Sequence, residues 1–249
     1  MRNSSKRGTD ARPRRHWAWD VSSFFYARTY LRIAHQVDDD LISYLGGRLP
    51  GAWVADCGCG PGVVAEKLLQ HGAARVLAID RNPRMLAQVR ARLPDRLADG
   101  SLEVIAGSFD GPFFSELTAR SADRRLLDVV LFKRSLYGPR RETSETLRCA
   151  MGAVRPGGVV VVIHPERSLL RYALGDGERV TSFTAFHLFN RFISRIGEFL
   201  GAGPYTLYGR SELIDLMRTA ADGQSVETVP TSQRAYNLVA ITRASPSPD

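Results

Sequence analysis

Lysine is almost missing from this chain: of its 34 basic side chains all but Lys6, Lys67 and Lys133 are arginine, so a single arginine carries little information by itself. Cysteine is scarce too. Cys57, Cys59 and Cys149 make an odd set that excludes a disulfide framework, and a C-x-C pair without histidine or further cysteine beside it is poor zinc spacing. Small buried thiols are expected there, and no metal. No run of about 18 apolar residues exists, so no segment is expected to span a membrane. The first twenty residues lack the apolar centre of a secretory signal, from which a cytoplasmic location is expected. No internal repeat is visible. What remains is 249 residues at 44% hydrophobic composition, enough to bury one full core in a single α/β domain.

The net charge is +8, and its distribution decides what it means. Residues 1–15 hold Arg2, Lys6, Arg7, Arg12, Arg14 and Arg15 against Asp10, which leaves +3 for the other 234 residues. The body is close to balanced. A tail of arginine and serine buries too little apolar surface to order itself and is read as a solvated arm. Charge patterning alone leaves an RNA-binding arm as the alternative.

One stretch organises the rest. Val54-Ala55-Asp56-Cys57-Gly58-Cys59-Gly60-Pro61-Gly62 is an apolar run ending in an acid and three alternating glycines, and the helical pattern of residues 63–72 follows at once. That is strand, tight turn, helix, with a backbone free to take positive φ and to approach a ligand. A dinucleotide fingerprint would place its third glycine at Val63, and here the spacing is G-x-G-x-G. Asp56 would repel a phosphate by about 4 kcal/mol at ~4 Å and an effective dielectric of ~20. Pro61 removes an N–H that a phosphate cradle would use. An acid here suits a ligand that brings a cation.

Residues 54–62 resemble motif I of the class I S-adenosylmethionine-dependent methyltransferases, whose cofactor carries an ammonium and a sulfonium and no phosphate. The resemblance covers about residues 20–243. It implies an α/β, Rossmann-like, seven-stranded and mostly parallel sheet with helices on both faces and the last strand antiparallel. It implies S-adenosyl-L-methionine as cofactor, S-adenosyl-L-homocysteine (SAH) as product, and Asp56, Gly58, Gly60 and Gly62 as cofactor residues. Arg75–Asp80 reads as a buried parallel strand ending in an acid 24 residues after Asp56, where a carboxylate can accept from both ribose hydroxyls. Asp80, Asn82 and Met85 resemble motif II, with Met85 beside the adenine and Arg81 a further candidate cofactor residue. In Gly107-Ser108-Phe109-Asp110 the family's adenine-binding acid is replaced by Ser108. Either Ser108 or Asp110 takes that role, and Phe109 stacks or packs on the ring.

Residues 126–132 read as a fourth strand that leaves Lys133-Arg134-Ser135-Leu136-Tyr137 at its carboxyl edge, where open α/β sheets bind ligands. The Asn/Asp-Pro-Pro-Tyr/Phe box of nucleic-acid and glutamine N-methylation is missing there, which argues against a base-methylating enzyme. Lys133 and Ser135 are expected to offer backbone groups to the cofactor. Tyr137 resembles the His or Tyr that faces the transfer site in small-molecule members. A helix over 139–154 and the turn Arg155-Pro156-Gly157-Gly158 lead to a fifth strand over 159–164, whose exit carries His164. His164 is a candidate base or substrate-positioning group with an ordinary pKa near 6.5, or a packed core histidine.

The 26-residue stretch from Val21 to Gly46 reads as helical, in one or two pieces, with Tyr26 and Tyr30 on one face. The resemblance makes it a cap, with Tyr30 on the cofactor and Tyr26 at the catalytic end; core packing is the plain alternative. Residues 168–204 form an insertion whose aromatic, basic helix includes Phe183, Phe186 and His187. With Arg167 and Tyr208 these are candidate substrate contacts under a lid, or a helix that buries sheet or pairs subunits. Arg134, Arg140, Arg141, Arg167 and Arg191 could hold an anionic group. Ser211 is a possible helix cap, and residues 226–229 and 235–242 read as the last two strands.

The expected organisation is a basic tail at 1–15, a helical cap at 16–50, the cofactor half at 51–165 and the insertion at 166–204, then sheet at 205–243 and a tail at 244–249. The expected function is methyl transfer to a small, partly apolar or anionic molecule, by a monomer or homodimer without nucleic acid or membrane. An RNA methyltransferase that uses the basic tail, and a homologue that binds cofactor without methylating, are the rivals.

Overall fold

The computed structural model describes residues 35–109, 111–120, 125–165, 206, 208–232 and 236–245. The expected tail at 1–15, most of the cap and the insertion at 166–204 lie outside the described residues. In chain order the elements are α1 (His35–Leu45), β1 (Trp53–Cys57), α2 (Val63–Gln70), β2 (Arg75–Asp80), α3 (Pro83–Arg92), α4 (Pro94–Ala98) and β3 (Leu102–Ala106). Then come α5 (Gly111–Arg120), β4 (Leu127–Lys133), α6 (Arg140–Ala153), β5 (Val154–Pro165), α7 (Arg210–Ala221), β6 (Ser225–Val229) and β7 (Tyr236–Thr242).

The strands form one sheet in the order β3-β2-β1-β4-β5-β7-β6. Pairings from β3 through β5 are parallel, and β7 runs antiparallel to both β5 and β6. The central strands are continuous apolar runs because helices cover both of their faces. Alternate side chains sort into two cores. Val54, Val76, Val129, Leu131 and Val161 pack with Leu41 and Leu45 of α1, Leu68 of α2 and Val89 of α3. Ala55, Ile79, Val130, Phe132 and Val162 pack with Phe114 of α5, Leu147 of α6 and Leu213 and Met217 of α7. Each such Leu removed from water stabilises by about 1.5–3 kcal/mol. No helix among the described residues is long and apolar enough to cross a membrane.

Two local expectations are corrected. Residues 155–158, read as a turn before the fifth strand, lie inside β5, where the register against β4 jumps between Leu127 and Val129. This is a bulge closed by β7: Gly157 N–H donates to Arg243 O at 2.8 Å and Arg243 N–H to Gly158 O at 2.9 Å. Ser211 does not cap α7. The cap residue is Gly209, whose N–H donates to Glu212 Oε2 at 2.8 Å, so a carboxylate one turn in replaces the hydroxyl.

Three successive acids tie α1 to a strand, a helix and a loop. Asp38 forms an ion pair with Lys133 at the end of β4, Asp39 with Lys67 of α2 at 2.5 Å, and Asp40 accepts from Ser232 N–H at 2.8 Å. The Asp38–Lys133 pair is buried. Breaking such a pair on one side leaves an uncompensated charge in the interior.

Candidate active site

The turn after β1 is built from three glycines with positive φ: Gly58 at 81°, Gly60 at 53° and Gly62 at 81°. Their surroundings separate their roles. A Cβ at Gly58 would fall 2.4 Å from Ser135 Cβ, and one at Gly62 3.1 Å from Val89 Cγ2, so both are close-packing positions. A Cβ at Gly60 would meet nothing within 4 Å among the described residues, so toward them Gly60 is open. The turn is tied to β2: Gly58 and Cys59 N–H donate to Ile79 O at 2.8 and 3.0 Å, and Gly60 N–H donates to Asp80 Oδ2 at 3.0 Å. Asn82 N–H donates to the other oxygen of Asp80 at 2.8 Å, while Asn82 Oδ1 caps α3 by accepting from Arg84 N–H at 2.9 Å.

Asp56 sits near the end of β1 with 1% of its surface exposed, and its Oδ2 has no hydrogen-bond partner among the described residues. Burial first, and the carboxylate of Asp80 second, push its pKa up to about 7. Burial also raises Asp80, against the opposing pull of the N–H groups of Asn82 and Gly60. Burial keeps Cys57 and Cys59 as neutral thiols, their pKa values raised further by Asp56. Among the described residues no group of three His, Cys, Asp or Glu side chains is placed to hold a metal.

The carboxyl ends of β4 and β5 make a second corner. Lys133 is engaged by Asp38, and burial followed by Arg134 lowers its pKa well below the usual amine range. Arg134 is 8% exposed and takes a left-handed φ of 55°, rare for a residue with a Cβ; its N–H donates to Ile163 O at 2.8 Å. Its guanidinium lies 5.6 Å from the centre of the Tyr236 ring. His164 is fully buried between Tyr137 and Tyr208, ring centres at 5.5 and 5.4 Å. Its Nε2 accepts from Tyr208 N–H at 3.1 Å, which places the proton of the neutral ring on Nδ1. Nδ1 has no partner among the described residues. Burial, and then Arg134, lower its pKa to about 3. The imidazole is a neutral group whose acceptor nitrogen is already occupied.

Tyr208 is 4% exposed, and its hydroxyl donates to Gly138 O at 2.6 Å with Thr143 Oγ1 at 3.2 Å. It joins α6, β5 and the entry to α7. Of the other expected residues, Met85 is buried in the first turn of α3, Arg81 and Ser108 are exposed, and Phe109 packs edge-on against Phe132 at 5.5 Å. Tyr26, Tyr30, Arg167, Phe183, Phe186 and His187 lie outside the described residues. Three features escaped the sequence reading: the Asp38–Lys133 pair, the backbone of Arg134 and the side chain of Ser135. Asp38 did leave a signal, since it falls on the apolar stripe of α1 with Leu41, Ile42 and Leu45.

A sheet in this order with β7 reversed, a glycine turn after β1 and an acid closing β2 define the class I, Rossmann-like methyltransferase fold. Residues 54–158 match the family described as "Methyltransferase domain". Over 155 residues the chain is 30% identical to the ubiquinone biosynthesis O-methyltransferase of Methylocella silvestris, covering 59% of this chain and 54% of that protein. Over 89 residues it is 35% identical to the ribosomal RNA small subunit methyltransferase A of Chelativorans sp., covering 34% of this chain and 30% of that one. The chain spans about half the length, or less, of these curated relatives. Magnesium protoporphyrin IX methyltransferase from Synechocystis PCC 6803, solved with bound SAH, superposes with a TM-score of 0.60 at 18% identity over 92% of this chain and 95% of that one. That likeness is one of fold.

Proposed function

We propose that this chain is an S-adenosylmethionine-dependent methyltransferase acting on a small, partly apolar or anionic molecule, a specialised natural-product metabolite methylated on oxygen, nitrogen or carbon. The observation that carries the reading is the buried carboxyl oxygen of Asp56, unmatched among the described residues, in the same turn as Gly60, which no described residue crowds. A buried acceptor of this kind fits a ligand that ends in an ammonium and repels one that ends in phosphate. Asp56, Gly58, Gly60 and Asp80 would hold the cofactor, with Met85 on its adenine side. When bound, the cofactor supplies a methyl group on a sulfonium, and transfer neutralises charge, so positioning and exclusion of water are the protein's main contributions. Asp80 holds the turn in shape through Gly60 and Asn82, and keeps lone pairs for the ribose hydroxyls. Half-buried Tyr137 lines the acceptor side. His164, neutral with Nε2 occupied, orients Tyr137 and Tyr208 and does not remove a proton. Two of the similar proteins carry small molecules in their names, which agrees with this acceptor class.

Calorimetric titration with SAH tests the reading. Micromolar binding is expected, with a loss of about a hundredfold in Asp80→Ala; an unaltered affinity in that variant rejects the site. RNA methylation is the second reading, because two similar proteins are ribosomal RNA methyltransferases. It requires RNA binding that falls steeply with salt and collapses when residues 1–15 are deleted.

A further inference from the structure

Two buried oxygens at the glycine turn have no partner among the described residues, Asp56 Oδ2 and Ser135 Oγ. Both belong to residues near Gly58, one along the chain and one in space. Asp56 stands two positions before Gly58, and Ser135 presses on Gly58 so closely that a Cβ there would lie 2.4 Å from Ser135 Cβ and 3.2 Å from its Oγ. Folded proteins rarely leave a buried acceptor without a donor, and two around one glycine call for a common explanation. A ligand group with several N–H donors and one positive charge would satisfy both.

We infer, on the cofactor reading above, that Ser135 Oγ is a second acceptor for the cofactor's ammonium, and that Asp56 is a neutral acid in the ligand-free protein that releases its proton as the ammonium seats. In that step the carboxyl O–H bond breaks, the proton leaves to bulk water, and the electron pair stays on the oxygen that accepts the ammonium N–H. The groups around Asp56 favour a neutral resting form. Asp80 faces it from β2 with both oxygens already taking backbone N–H groups. On its own strand and turn stand the thiols of Cys57 and Cys59. At the end of β4, Lys133 is engaged by Asp38 of α1, and Arg134 lies over Tyr236. Among the described residues Asp56 has no ion pair, and a buried acid beside a second acid is held near a pKa of 7.

The test is calorimetric titration of the full chain with SAH in two buffers of different ionisation enthalpy. At about pH 6.5 the expected result is release of the better part of one proton, vanishing near pH 9, with affinity rising about tenfold between pH 6 and 8. Asp56→Asn is expected to abolish the release. Ser135→Ala is expected to weaken SAH about tenfold with the release intact. A second ligand makes the test independent of either variant's folding: 5′-methylthioadenosine keeps the nucleoside and thioether but has no amino-acid end, so it should bind without releasing a proton. SAH binding with no proton exchange at any pH, or release with methylthioadenosine as well, overturns the proton step. An unaltered SAH affinity in Ser135→Ala overturns the second acceptor. Failure of both ligands to bind sinks the cofactor reading itself, and this inference with it.

Discussion

The two corners at the carboxyl edge of the sheet are built on opposite principles. At the glycine turn the acid of Asp56 and the hydroxyl of Ser135, which packs on Gly58, are left without partners among the described residues, and Gly60 is open. At β4 and β5 Lys133 has Asp38, Tyr208 has Gly138 and the acceptor nitrogen of His164 has a backbone N–H. The first corner is incomplete without a ligand. The second is a joint that fixes α1 and the entry to α7, with His164 Nδ1 the ring atom left without a partner among the described residues. The contrast separates residues that should matter for binding from residues that should matter for stability.

The sharpest way to break it is at the joint. Lys133→Met leaves Asp38 charged and buried, and is expected to cost about 3–5 kcal/mol of unfolding free energy. Urea denaturation measures this, and the double variant Asp38→Leu/Lys133→Met should recover most of it. A loss below about 1 kcal/mol in the single variant would mean that the pair is no joint.

Asp56→Asn should do the reverse. The folded pKa of Asp56 lies near 7, above its ordinary 3.8, so the folded state's advantage is complete below about pH 4 and is lost as pH rises through 7. Removing the charge should stabilise the ligand-free protein at pH 8 by about 2–4 kcal/mol relative to its effect at pH 4. Unfolding curves that coincide at both pH values would contradict a buried, unpaired acid.

The glycines sharpen the comparison within one turn. Gly58→Ala meets Ser135 and a φ of 81°, and should destabilise by about 2–3 kcal/mol. Gly60→Ala meets only the backbone cost of about 1 kcal/mol, yet its methyl group enters the open space and should abolish SAH binding. A Gly60→Ala protein that binds SAH normally would move the ligand elsewhere. The smallest effect belongs to His164→Gln, which retains an acceptor toward Tyr208 N–H. Less than about 1.5 kcal/mol of stability should be lost, and the acid limb of the pH–rate profile should stay where it was. A shift of that limb would restore a titrating role to His164.

The first corner was legible in the sequence because its parts are contiguous. Residues 54–62 and the acid of Asp80 lie on neighbouring parallel strands, and local pattern fixes both the turn and the strand ends. The second corner was not. Lys133 was read for its backbone, because its partner Asp38 is 95 residues away and belongs to another layer. Tyr208 and His164 were read as substrate contacts because position along a strand says which edge a side chain reaches and not whether something already covers it. The bulge at 155–158 was read as a turn because Pro-Gly-Gly signals a break, and the hydrogen bonds that hold it in β5 come from Arg243.

The place of β7 has a consequence for how this molecule is made. Residues 236–242 slot between β5 and β6, so a nascent chain still lacking them leaves the backbone edge of β5 without its partner strand. Synthesis must run nearly to the end of the described chain before that edge can be paired. Stop codons just before Tyr236 are therefore expected to yield inclusion bodies in place of a shortened enzyme.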